Sequence, residues 1–306
     1  MNKILTIAGP TATGKTSLAV KLAKEFNAEI VSADSRQVYK GMDIITGKET
    51  AERVKIWLYD VVEPNQKFSV ADFYRLAWGA IQDIWKRGKL PILVGGTGFY
   101  VQAALEGIGT MGIEPNWELR ERLFHCSVDL LFKTLEKLDP KRSRRMNESD
   151  RKNPRRLIRA IEIATRVQNS KLKVKSDSSK FKNLDKLLIG LTAPLQVLYR
   201  RIDERAEERV RMGAEEEIKK LLGEGYDWDN SVLGSTIGYR EWRDYFEGKA
   251  ARDEVIQRWK YDEHNYARRQ MTWFRKTLRQ VQGKWFDVDE EGWQEKVEML
   301  VKAWYI

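Results

Sequence analysis

The run Gly9-Pro10-Thr11-Ala12-Thr13-Gly14-Lys15-Thr16 decides how the chain is read. It is a complete phosphate-binding loop of the form G-x-x-x-x-G-K-[ST]. An apolar stretch, Ile4 to Ala8, enters it as a strand, and Leu18, Leu22 and Phe26 recur beyond it at helical spacing. Strand, loop and helix in that order are the context the motif requires. The glycines let backbone N–H groups turn towards phosphate oxygens, and the helix N-terminus adds its positive end. Lys15 would place a point charge on the terminal phosphate, and Thr16 would offer a hydroxyl to a bound metal ion. The loop specifies a phosphorylated ligand without saying which one.

Strands and helices alternate outward from this loop. Glu29 to Ser32 reads as a second strand running into Asp34-Ser35-Arg36-Gln37, and Trp57 to Val62 as a third. Val70, Phe73, Ala77, Ile81, Ile84 and Trp85 mark an amphipathic helix ending near Gly88. Pro91 to Val94 is a short buried strand, followed by Gly95-Gly96-Thr97-Gly98 and a helix through Leu105. This alternation predicts an α/β fold, a parallel sheet with helices on both faces. Ligands of such sheets lie outside the carboxyl ends of the strands. The phosphate loop, the Asp34 segment and the Gly95–Gly98 turn are therefore expected to meet in one crevice.

From about Gly112 the pattern becomes all helix: Trp117 to Phe124, Leu130 to Leu138 and Arg155 to Ala164. Asn169 to Lys186 is polar and reads as a return connection, after which Leu187 to Leu191 resumes the strands. The predicted organisation is a catalytic core over 1–111 and 187–306, with a helical insertion over 112–186. After Pro194 comes a long helix bearing Arg200, Arg201, Arg205 and Arg209, then another over Trp259 to Leu278. A strand near Trp285 to Val288 and a helix from Trp293 close the chain.

The net charge of +10 and a pI near 9.4 point to a polyanionic partner, nucleic acid before others. The densest cationic stretch is Lys141-Arg142-Ser143-Arg144-Arg145, Arg151-Lys152, Arg155-Arg156 and Arg159, in which Glu148 and Asp150 are the only acids. A single cysteine, Cys126, excludes an intrachain disulfide and a multi-thiolate zinc site, and two histidines make a histidine-rich metal centre unexpected. No apolar run reaches membrane-spanning length and no signal-peptide pattern precedes the first strand. The expectation is a cytoplasmic monomer with no membrane partner.

Two polar residues stand in the turns just after strands. Asp34 is placed either to accept a proton and bind a phosphate-bound metal, or simply to cap the next turn. Thr97 is placed to hydrogen-bond at the site, to N-cap the following helix, or both.

Several segments then occur in one order: Gly9–Thr16, Asp34-Ser35-Arg36-Gln37-Val38-Tyr39-Lys40-Gly41-Met42-Asp43, Val94-Gly95-Gly96-Thr97-Gly98-Phe99-Tyr100, Arg155-Arg156-Leu157-Ile158-Arg159-Ala160, Ile237-Gly238-Tyr239 and Arg268–Arg275. Together they resemble the bacterial tRNA dimethylallyltransferase family over nearly the whole chain. The resemblance implies a phosphate-loop NTPase-like core. It also implies transfer of a dimethylallyl group from dimethylallyl diphosphate to N6 of the adenosine just 3′ of the tRNA anticodon. Gly9, Pro10, Thr11, Ala12, Thr13, Gly14, Lys15, Thr16 and Arg205 would hold the diphosphate, with Mg²⁺ on Thr16. Asp34 would accept the N6 proton, Thr97 would help to orient the amine, and Lys15 and Arg205 would neutralise the developing charge.

The anticodon stem-loop would be held by Asp34, Ser35, Arg36, Gln37 and Thr97, by Arg120, and by Arg155, Arg156, Leu157, Ile158 and Arg159. The same resemblance adds Thr236, Ile237, Gly238, Tyr239, Arg240 and Glu241, and then Arg268, Arg269, Gln270, Met271, Thr272, Trp273, Phe274 and Arg275. The chain departs from the family at Thr165-Arg166-Val167-Gln168-Asn169-Ser170, which stands where a Gly-Lys turn is usual. Two rival readings share the phosphate loop: an adenylate isopentenyltransferase acting on free AMP or ATP, and a small-molecule kinase.

Overall fold

Asn2–Ala8 form the first strand, β1, at the centre of the core. Its side chains alternate between two apolar layers, Leu5 and Ile7 entering one and Ile4 and Ala8 the other. A strand buried on both faces needs this continuous apolar run. The computed structural model describes residues 2–107, 109–110, 113–170, 184–277 and 283–306. The chain forms two compact units, Met1–Leu105 with Lys180–Ile306, and Glu106–Ser179.

In the first unit β1 leads to helix α1 (Lys15–Glu25), then to β2 (Ala28–Ser32) and β3 (Ile56–Trp57). Helix α2 (Val70–Lys86), strand β4 (Leu90–Gly95) and helix α3 (Gly98–Glu106) follow. Ser69 and Asp72 close a capping box at the start of α2, so its first turn has both a hydroxyl and a carboxylate on otherwise unpaired N–H groups.

In the second unit, Glu106–Ser179, the described residues carry five helices: α4 (Trp117–Phe124), α5 (Val128–Leu138), α6 (Pro140–Arg145), α7 (Glu148–Arg151) and α8 (Pro154–Ser170). Leu131, Leu135, Leu157, Ile158, Ala160 and Ile161 form its core. The unusual Thr165–Ser170 stretch continues α8 as helix rather than turning. The expected return connection lies outside the described residues from 171 to 183, as do Gly112 and Leu278.

The first unit resumes with β5 (Leu184–Thr192), α9 (Leu195–Arg211), α10 (Ala214–Gly223), α11 (Arg243–Phe246), α12 (Arg252–Thr277), β6 (Lys284–Asp287) and α13 (Trp293–Tyr305). The six strands lie in the order β3-β2-β4-β1-β5-β6, and every pairing is parallel. The loops after β1, β2 and β4 therefore leave neighbouring strands at one end of the sheet. Leu18 and Leu22 of α1, Leu198 and Ile202 of α9 and Val297 and Val301 of α13 cover one face; Phe73, Ile81 and Ile84 of α2 and Val101 of α3 cover the other. Each such side chain contributes about 1.5–3 kcal/mol on burial.

The third strand is shorter than the expected Trp57 to Val62. Only Ile56 and Trp57 pair with β2, because Leu58 and Asp60 adopt left-handed backbone angles, φ 71° and 56°. The turn brings Val62 beside Tyr39 as an isolated bridge, and Lys48 pins it by bonding both Asp60 at 2.5 Å and the Tyr39 carbonyl at 2.7 Å. The region from α10 to α11, in which the sequence predicts no element, builds a separate core around Tyr239 and Trp242, completed by Trp259 of α12.

Candidate active site

The three strand-end loops line one crevice of about 620 Å³, within the first unit. Lys15 and Thr16 come from the phosphate loop, Asp34 to Gln37 from the loop after β2, and Gly95 and Gly96 from the end of β4. Helix α9 adds Arg201, Arg205 and Arg209 at a four-residue spacing that puts them on one face. Helix α12 adds Glu263, Tyr266 and Gln270, three and then four residues apart and so also on one face. Thr236, Ile237 and Arg240 complete the wall.

Gly14 takes φ 74° at the N-terminus of α1, a conformation that glycine adopts without strain, and it turns the chain so that Lys15 and Thr16 open the helix. The Lys15 ammonium donates to the Pro10 carbonyl at 2.5 Å. Burial, and then the neighbouring Arg205 guanidinium, push Lys15 down to about 7, against the pull of Asp34, Glu49 and Glu263. Burial and Arg205 likewise lower Arg209 to about 10, although Glu263 lies 3.8 Å away. Lys15, Arg205 and Arg209 thus crowd together, and the carboxylates of Asp34, Glu49 and Glu263 do not outweigh the burial and mutual repulsion of Lys15 and Arg209. Such a cluster is stabilised by a multiply charged anion. Burial also raises Glu49, which faces Lys15 and Arg205 across the crevice.

Asp34 does cap the next turn: its Oδ1 accepts from the Arg36 and Gln37 N–H groups at 2.7 and 3.4 Å. It also lines the crevice beside Lys15, so capping and an open site coexist. Gln37 is anchored by Ser32 at 2.8 Å and by the Thr46 and Gly47 carbonyls at 3.3 and 3.1 Å. Thr97 is not among the lining residues. Its hydroxyl accepts from the Ser35 N–H at 3.2 Å and bonds the Tyr266 hydroxyl, so it holds the backbone next to Asp34. Its carbonyl begins α3 by accepting from Tyr100 and Val101.

Other expected contacts are divided. Arg36, Arg240, Arg269 and Thr236 reach the crevice. The side chains of Tyr239, Met271 and Phe274 are buried in the first unit and those of Leu157 and Ile158 in the second. These five offer no side-chain surface to a partner, because their amphipathic helices and turns need them as core. Tyr239 instead donates to Glu217 at 2.5 Å, a carboxylate that also accepts from the N–H groups of Asp43, Ile44 and Ile45. Glu217, Tyr59, Glu49, Glu263 and Tyr266 were not singled out from sequence. Glu263 and Tyr266 carried a signal, their helical spacing to Gln270.

In the second unit the basic cluster is partly neutralised, contrary to expectation. Arg159 pairs with Glu162 and donates to the Thr110 and Ile113 carbonyls, and Arg120 forms a two-pronged bond to the same carboxylate at 2.9 Å. Burial would raise Glu162, yet the bonds from Arg120, Arg159 and the Asn116 N–H hold it below its ordinary value. Arg156 pairs with Asp150 and Lys152 with Glu148. Arg155 is exposed and, among the described residues, unpaired.

A family model described as IPP transferase matches residues 37–277, and one described as isopentenyl transferase matches residues 2–61. A tRNA dimethylallyltransferase of Roseiflexus sp. (strain RS-1) is 41% identical over 99% of this chain and 99% of its own. One from Geobacillus thermodenitrificans is 40% identical over 98% of this chain and 95% of its own. Among solved structures, the full-length tRNA isopentenylpyrophosphate transferase of Bacillus halodurans is similar with a TM-score of 0.70 at 38% identity, covering 99% of this chain and 95% of that one. A eukaryotic dimethylallyltransferase, solved acting on tRNA, is similar with a TM-score of 0.80 at 27% identity, covering 99% of this chain and 79% of that one.

Proposed function

The chain belongs to the IPP transferase family and modifies tRNA by isopentenyl transfer; from that premise we propose that it moves a dimethylallyl group from dimethylallyl diphosphate to N6 of the adenosine just 3′ of the anticodon. The observation that carries this reading is the meeting of Lys15, Thr16 and Arg205 with Asp34 in one crevice. The cations suit a diphosphate leaving group, whose charge grows as the allylic C–O bond breaks. Asp34 accepts the N6 proton, and Thr97 helps to orient the amine through the Ser35 backbone that it holds. The base must leave its stack to enter.

Thr16 offers a hard oxygen beside the phosphate loop, and Glu49 and Asp34 line the same space. Among the described residues no cluster of three or more ligating side chains forms a cage. That donor set fits Mg²⁺, which retains waters and binds through phosphate oxygens. Bound there, Mg²⁺ would supply charge neutralisation to the departing diphosphate.

The test is nucleoside analysis of tRNA incubated with the protein, dimethylallyl diphosphate and Mg²⁺, without ATP. Dimethylallyladenosine next to the anticodon is expected. Phosphoryl transfer from ATP with unmodified tRNA would restore the kinase, and alkylation of AMP alone the adenylate enzyme.

The helical unit makes the reading quantitative. Arg155→Ala is expected to flatten the salt dependence of tRNA binding by roughly 0.7–0.9 log–log units, the loss of one phosphate contact. Arg159→Ala should instead lower thermal stability, because it strips a partner from buried Glu162. Filter binding across a salt series and melting curves separate the two; an unchanged slope for Arg155→Ala would leave it a solvated surface residue.

A further inference from the structure

Gln270 lies on α12 and is 6% exposed. Its Oε1 accepts from the Thr11 N–H at 2.9 Å, and its Nε2 donates to the Gly96 carbonyl at 2.9 Å. Thr11 belongs to the phosphate loop. Gly96 belongs to the turn between β4 and Thr97. The paired register of β1 and β4 ends at Ala8 and Gly95, one residue short of both loops. Beyond that point this one side chain continues the connection. The fit is close, since a Cβ on residue 96 would stand 2.4 Å from Gln270 Nε2.

Both polar ends of the amide are thus engaged by backbone, which leaves Gln270 poorly placed for the nucleic-acid contact that its segment suggested. The Thr11 N–H is also withdrawn from the phosphate cradle, so the remaining N–H groups of the loop serve the ligand. We propose that Gln270 is a positioning residue: it sets the separation between the diphosphate-holding loop and the Thr97 turn, and so aligns donor with acceptor. This rests on the transferase reading above. It acts on the rate because a displacement of about 1 Å between reacting groups costs on the order of 10²-fold. Thr97 and Arg36 tie the Asp34 loop to its own neighbours, whereas Gln270 joins the phosphate loop to the Gly96 turn directly.

The test uses Gln270→Ala and Gln270→Glu in the full-length chain. Single-turnover transfer, affinities for dimethylallyl diphosphate and tRNA, melting temperature and amide exchange at Thr11 are measured. Gln270→Ala is expected to keep both affinities within about 3-fold while transfer falls about 10²-fold. The Thr11 amide should lose protection from exchange. In Gln270→Glu an ionised carboxylate still accepts from Thr11 but faces the Gly96 carbonyl without a proton. Protonation restores the donor, so the ratio of its rate to wild type should climb as pH falls, while the ratio for Gln270→Ala stays flat. Should Gln270→Ala fail to fold, Gln270→Glu and its pH ratio decide. A flat ratio, equal losses of affinity and rate, or an unchanged Thr11 amide would overturn the proposal. If the wild-type protein modifies no tRNA, the transferase reading fails, and the Thr11 exchange then judges the clamp by itself.

Discussion

Asp34→Asn is expected to bind tRNA and dimethylallyl diphosphate almost as the wild type does and to transfer the allyl group about 10²-fold more slowly, or worse. The reason lies in what asparagine preserves. Its carbonyl oxygen can still accept from the Arg36 and Gln37 N–H groups, as Asp34 Oδ1 does at 2.7 and 3.4 Å. The turn after β2 then survives, Gln37 stays anchored on Ser32, and only the basic oxygen is lost. Asp34→Ala removes the turn and the base together. A residue that merely capped would show the opposite pattern, with the asparagine variant active and the alanine variant impaired. Single-turnover rates for the pair, read with binding constants, distinguish proton acceptance from capping, and near-normal transfer by Asp34→Asn would remove it from the chemistry.

Lys15→Ala carries the second large effect. Deleting one preorganised charge at a leaving group removes about 3 kcal/mol of transition-state stabilisation, near 10²-fold in kcat/KM. The ammonium adds a pH signature. In the free site Lys15 is pushed down to about 7 by burial and by Arg205, so above that pH it is mostly neutral. A diphosphate favours the charged form and raises the pKa again. Binding above pH 7 therefore takes up as much as one proton, and affinity weakens as pH rises through the alkaline range. Calorimetric titration in buffers of different ionisation enthalpy at about pH 8 measures that proton. Lys15→Ala should abolish the uptake. A wild-type protein that binds the diphosphate with no proton taken up would mean that Lys15 is already charged in the free site.

The two effects arise within one crevice, and they differ in how far the sequence alone disclosed them. The phosphate loop was legible because its function depends on local backbone: glycine at fixed spacing, a strand before, a helix after. The parallel sheet was legible for a similar reason, since β1, β2 and β4 read as apolar runs bounded by polar loops. Even the meeting of Lys15 and Asp34 followed from the rule that ligands of such sheets lie outside the carboxyl ends of the strands. The third strand failed at Leu58 and Asp60, whose left-handed angles come with no glycine to announce them and whose turn Lys48 holds through Asp60. Cationic runs misled in the other direction. Arg159 and Arg120 look free in a list of residues, yet both bond Glu162, one from a different helix and 42 positions away.

What the sequence determined by itself is the chemistry's raw material: a phosphate-binding turn, a carboxylate at a strand end and arginines at helical spacing. Each is set by neighbours within a few positions, where covalent geometry and periodicity rule. Tertiary structure alone decided which of those groups are available. Burial beside Arg205 sets the charge of Lys15, and a buried glutamine from α12, 259 residues beyond Thr11, ties the phosphate loop to the turn at Gly96. Desolvation and long-range hydrogen bonds depend on distances in space, and no local pattern encodes them.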